Sequence, residues 1–152
     1  ALLHMLVHSI TKSAIFFAAG TASQMNSTQE MSGIRGLVKG NPLVGWGLML
    51  GTVAIAGVPP CGVFTSEFLS LTAAMKDAPY LAPIFLLGLA IAFAALFRKV
   101  MPMVFGEAAP YQVSIKASSV PVIAHLIIML VLGLYMPVFL NDWFHKAVEL
   151  LR

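Results

Sequence analysis

The sequence predicts an all-α, polytopic transmembrane fold of about four spans, one of them broken, on three grounds. Hydrophobic residues make up 59% of the 152, charged residues 10%, and the mean hydropathy is +0.91. That composition lies well outside the soluble globular range. Apolar runs recur at close to the roughly 20 residues a helix needs to cross a bilayer. The polar residues inside the first run recur at helical spacing, which argues against strands.

The first run extends from Ala1 to Gly20 and contains His4, His8 and Lys12, four residues apart. Steps of four at about 100° per residue set all three on one helical face. A cation near the bilayer centre costs roughly 2.5 kcal/mol or more, so Lys12 must face protein, water or an opposite charge. Two readings are open for this face. It is part of a proton or ion pathway, or its groups are satisfied by hydrogen bonds to neighbouring helices. A zinc site is not expected, because Met5 stands where His-Glu-x-x-His carries its glutamate. Gly20 reads as a C-terminal cap, followed by a polar connection from Thr21 to Asn41.

The next run, Pro42 to Val58, stops at Gly57-Val58-Pro59-Pro60-Cys61-Gly62, and another goes from Thr65 to near Met75. Neither half reaches spanning length alone, so the stretch 42–75 is predicted as one broken helix, interrupted at 57–64 and hinged at Gly57, Pro59, Pro60 and Gly62. Backbone freed from helical bonding at that depth is tolerated only in protein or along a polar cavity. Glu67 then falls in the first turn of the second half. With Thr65 or Ser66 as N-cap, its carboxylate complements the positive helix end. Alternatively, the break hydrates it and lets it take up and release a proton. The two roles are compatible.

Tyr80 to about Phe105 reads as a full span, 106–119 as a loop, and Val120 to about Leu140 as the last span. The tail from Asn141 to Arg152 sets Trp143, Phe144 and Val148 against Asp142, Lys146 and Glu149, the pattern of an interfacial amphipathic helix. Residues 1–140 thus form the transmembrane unit and 141–152 an appended helix. Arg98 and Lys99 read as snorkelling anchors and His125 as a packing or hydrogen-bonding residue.

The two long loops and the adjacent helix end hold Arg35, Lys39, Arg98, Lys99 and Lys116, against Lys76, Lys146 and Arg152 on the other side. The positive-inside rule makes loops 21–41 and 106–119 cytoplasmic and the C-terminus external, in a cell inner membrane. The net charge of +3 sits largely in these connections, so lipid rather than nucleic acid is the expected partner surface. A single cysteine, Cys61, excludes a disulfide framework, a CxxC site and an iron–sulfur cluster within the chain. No cofactor is expected here, and any electron transfer must happen in a partner. The start at Ala1, without a basic n-region, reads as that of a C-terminal fragment.

The ordered set His4-x3-His8-x3-Lys12-Ser-x2-Phe-Phe-x2-Gly20, Gly33-Ile-Arg-Gly36-Leu37 and Ala56-Gly-Val-Pro-Pro-Cys-Gly-Val-Phe-Thr-Ser-Glu67-Phe resembles the C-terminal half of the antiporter-like proton-channel subunits. These occur in respiratory complex I, in Mrp-type cation/proton antiporters and in energy-converting hydrogenases. The Pro-Pro-x-Gly-Val-Phe-x-Ser-Glu-Phe form of the break is most similar to the hydrogenase-4 component F and formate hydrogenlyase branch. The resemblance implies inverted repeats with discontinuous helices and a charged, hydrated path along the membrane midplane. It makes Lys12 the central-axis lysine, His4 and His8 its relay partners, and Glu67 the terminal acid. It also implies other membrane subunits and peripheral redox subunits as partners. The function expected is proton translocation in a redox-driven complex, with a sodium or potassium/proton antiporter of the Mrp kind as the alternative.

Overall fold

A computed structural model describes residues 2–107 and 119–150. Among them are seven α-helices, one 3₁₀ turn at Met31–Gly33 and no strand. The helices are α1 (Leu2–Asn26), α2 (Leu37–Gly40), α3 (Pro42–Ile55), α4 (Gly62–Asp77), α5 (Leu81–Phe105), α6 (Val120–Leu134) and α7 (Val138–Glu149). By length and composition α1 and α5 can each cross a membrane, and α6 with α7 makes a third candidate bent by 78°.

Helix α1 is the central element, packed against α3, α4 and α6. At one end of the bundle Ala18, Ala22 and Met25 meet Leu37, Val44, Val104 and Val122. At the other end Leu3 and Val7 meet Val63 and Leu132, with Leu140 and Phe144 of α7 packed beneath. Small residues let the helices approach. A side chain at Gly47 would strike Val122, and one at Gly51 would strike Ile15. The outer face of α5, with Ile84, Leu87 and Ile91, is exposed. In a membrane that face meets lipid or other helices rather than water.

Three local features depart from the sequence expectations. Helix α1 does not end at Gly20 but continues to Asn26, because Ala22 and Met25 are buried and extend its packed face. The expected loop 21–41 is therefore partly helical, and α3 begins with Pro42 after an Asn41 cap whose side chain accepts from the Val44 N–H at 3.3 Å. Helix α4 begins at Gly62 with Cys61 as N-cap, so neither Thr65 nor Ser66 caps it and Glu67 sits in the second turn. The last span ends at Leu134 rather than near Leu140, and the amphipathic helix starts at Val138, three residues before the expected tail, after a 78° bend. Most of the expected loop 106–119, Lys116 in it, and the end of the tail with Arg152 lie outside the described residues.

Candidate functional site

The site is built where α1 passes the break between α3 and α4. Helix α3 ends in a paired C-terminal cap. The Gly57 N–H donates to the Ala54 carbonyl at 3.2 Å and the Val58 N–H to the Val53 carbonyl at 3.3 Å. This is the Schellman arrangement, which needs a left-handed residue, and Gly57 has φ +69°. The missing side chain has a second consequence: a Cβ on Gly57 would collide with Glu67 Oε2 and Cδ. The Glu67 carboxylate therefore lies folded back on the end of α3, filling the space that a side chain would occupy.

The break is covered from the other side by α6. A Cβ on Gly133 would run into the Pro60 carbonyl, the Cys61 carbonyl carbon and the Gly62 nitrogen. The Thr65 hydroxyl donates to the Gly133 carbonyl at 3.2 Å, which supplies a partner to one of the end carbonyls of α6. Cys61, Gly62 and Val63 are buried as a result. Backbone outside a regular helix is thus enclosed in protein, the condition under which it is stable at membrane depth.

On α1 the three predicted residues do share one face. The His4 and His8 rings are 5.3 Å apart between centroids, inclined at 32°. His4 Nδ1 lies 2.9 Å from the Ser66 hydroxyl on α4. His8, Lys12 and Glu67 line a cleft of about 410 Å³, closed elsewhere by apolar residues such as Ile55, Leu89 and Phe93. His4, Glu67 and Ser70 line a second cleft of about 320 Å³ with Phe85 and Leu89. Lys12 is exposed on the rim, near the middle of the 25-residue α1, while His4, His8 and Glu67 are half-buried. Glu67 is the ionisable residue common to both clefts, so it joins the His8–Lys12 side to the His4 side.

The hinge residues divide by role. Gly57 ends α3, Pro59 and Pro60 lie between the halves, and Gly62 opens α4. His125 lines neither cleft. Its Nδ1 is 2.7 Å from the Pro121 carbonyl and its ring packs on Phe17. Arg98 and Lys99 lie on α5, towards its C-terminal end, and line neither cleft. Among the described residues no three His, Cys, Asp or Glu side chains converge as metal ligands. The clefts bring together a carboxylate, two imidazoles and an amine, groups that are capable of exchanging protons.

Sequence reasoning did not find Ser66 as the partner of His4, nor Gly133 as the cover of the break. For Ser66 no local signal exists across 62 residues. Gly133 carried one, as a lone glycine within the apolar stretch 126–134, where a small residue lets another element approach closely.

Residues 1–93 match the family model described as "NADH:quinone oxidoreductase/Mrp antiporter, TM". The chain belongs to that family. Within it, the chain is 42% identical to a hydrogenase-4 component F homolog of Methylacidiphilum infernorum over 99% of its own length and 32% of that protein's. It is 30% identical to a Na(+)/H(+) antiporter protein of Alkalihalophilus pseudofirmus over 64% of the chain and 19% of that protein. A putative antiporter protein, mnhD2, of Staphylococcus aureus is 25% identical over 93% of the chain and 29% of its own length. The chain thus spans about a third or less of these curated relatives. It is a membrane-embedded member of the antiporter-like family, and the hydrogenase-4 component F homolog matches it over the greatest extent of the three.

Proposed function

We propose that this chain forms part of a proton-translocating membrane subunit in a redox-driven complex of the hydrogenase-4, formate hydrogenlyase or complex I type. The observation that carries the reading is the position of Glu67 on both clefts, between His8 and Lys12 on one side and His4 on the other. A proton arriving at Glu67 removes a negative charge beside Lys12 and His8, and that change alters the proton affinity of each neighbour in turn. Protons then pass among Glu67, Lys12 and the two histidines through hydrated gaps. Redox chemistry in peripheral partner subunits would supply the drive. The extent of the match to the hydrogenase-4 component F homolog supports this over a sodium or potassium/proton antiporter.

In this reading residues 1–140 are the working transmembrane unit and the terminal helix lies in the interface. The connections 21–41 and 106–119 face the cytoplasm, and the C-terminus faces outward. A cysteine in 27–33, placed in a Cys61-free background, is expected to be shielded from an impermeant external thiol reagent, and one beyond Trp143 to be labelled. Opposite labelling would reverse the orientation.

The functional test is on Lys12 in the intact complex, reconstituted in vesicles with redox-driven acidification followed by a pH dye. Lys12→Ala is expected to depress pumping severely at normal assembly on a native gel. Lys12→Arg should rescue poorly, because guanidinium does not give up its proton. Full pumping by the alanine variant would remove Lys12 from the path. Acidification that requires a sodium or potassium gradient instead of the redox substrate would favour the antiporter reading.

A further inference from the structure

The hydroxyl of Ser66 is 2.7 Å from the Val63 carbonyl and 2.9 Å from His4 Nδ1. Two oxygens approach to 2.7 Å only with a hydrogen between them, and a carbonyl has none to offer. The single hydroxyl hydrogen of Ser66 is therefore committed to Val63. Toward His4 it presents a lone pair, so the hydrogen in the 2.9 Å contact must come from the ring. Ser66 is 4% exposed, so its hydroxyl is largely shielded from solvent. We propose that Ser66 is a positioning residue that fixes neutral His4 as the Nδ1–H tautomer, so that His4 takes up and releases its proton at Nε2 alone.

The tautomer follows from the two distances. Its use in transport rests on the proton-translocation reading above. A histidine that relays protons onward accepts at one nitrogen and gives from the other, then resets its tautomer. His4 cannot give from Nδ1, because the Ser66 oxygen that receives that hydrogen bond already spends its own hydrogen on a helix carbonyl. When Nε2 takes a proton, the imidazolium keeps its Nδ1–H bond to Ser66 and the ring need not move. The same proton leaves from Nε2 when the local charge changes. His4 is then a loading site at the edge of the cleft it shares with Glu67, exchanging its proton through Nε2 and not through Ser66. The ionisable groups facing it are His8 on its own helix and Glu67 on α4, while α5 contributes only the apolar Phe85 and Leu89.

The test uses the intact complex in lipid, with histidines labelled by nitrogen-15 and His4 assigned by its absence from a His4→Gln spectrum. Solid-state NMR of neutral His4 is expected to show the proton on Nδ1 and a bare Nε2. Ser66→Ala should lose that preference, and Ser66→Thr, which keeps a hydroxyl, should retain it. The Nε2–H tautomer in the unaltered protein, or an unchanged tautomer in Ser66→Ala, would overturn the assignment. If Ser66→Thr does not assemble, the other two spectra still decide. Redox-driven acidification by Ser66→Ala is expected to fall several-fold at normal assembly. An unchanged rate with an altered tautomer would overturn the positioning role. Normal pumping by Lys12→Ala would instead overturn the transport reading while leaving the spectra to judge the tautomer.

Discussion

The helices are interrupted at two comparable places, between α3 and α4 and between α6 and α7, and the two breaks are treated in opposite ways. The first is packed from both sides. Gly57 closes α3 with a left-handed cap, Gly133 of α6 lies directly on the Pro60 to Gly62 backbone, and Cys61 to Val63 are buried. The second turns through 78°, and α7 has no buried residue, with Val138, Phe139 and Trp143 left exposed. An interruption alone does not make a site. The enclosed one holds an ionisable group beside interrupted backbone, because free backbone groups there find protein partners and the carboxylate finds room against a glycine. The outer one turns the chain into an amphipathic helix with exposed aromatic residues, a pattern suited to a bilayer interface.

The contrast is tested most severely by denying α6 its approach. Gly133→Val would drive a side chain into the backbone of the break, and the expected result is loss of assembly on a native gel. Normal assembly would mean that α6 does not cover the break. The next effect is at Gly57. Gly57→Ala forces a left-handed alanine, which costs about 1–2 kcal/mol, and pushes on the Glu67 carboxylate as well. Assembly is expected to persist at a lowered unfolding midpoint, with acidification reduced more than assembly. Equal loss of both would assign Gly57 to folding alone. Thr65→Val removes one interhelical hydrogen bond, worth about 0.6 kcal/mol in a membrane interior, and should lower thermal stability slightly with transport intact. The mildest change is expected at the outer bend. Pro137→Ala keeps the carbonyl that accepts from the Leu140 and Asn141 N–H groups and should leave assembly and transport at wild-type levels. A large defect there would show that the second break is also part of the working site.

What could be read from the sequence was local and periodic. Hydropathy marked the apolar helices, steps of four marked the shared face of His4, His8 and Lys12, and two prolines between glycines marked the break. What could not be read depended on neighbours distant in sequence. Gly20 has the identity of a cap, but Ala22 and Met25 beyond it are buried against other helices, and packing carries α1 through to Asn26. Gly62 looked like part of the break, yet with Gly133 against it α4 begins there, which moves Glu67 from the first turn to the second. That shift weakens the reading of Glu67 as a helix-end partner, since the macrodipole acts chiefly within the first turn. The fold of the Glu67 side chain back onto Gly57, and the bond from His4 to Ser66, join segments ten and 62 residues apart that no local pattern relates.

Glu67 is the ionisable group that both clefts share, and in the proposed path transport is expected to depend on its titrating proton. In the reconstituted complex, Glu67→Gln preserves the shape and removes the proton, whereas Glu67→Asp keeps the proton on a shorter arm. The measurement is the initial rate of redox-driven vesicle acidification, normalised to assembled complex. The expected result is a rate reduced to a small fraction in Glu67→Gln and a substantial part retained in Glu67→Asp. Wild-type acidification by Glu67→Gln at normal assembly would contradict that dependence.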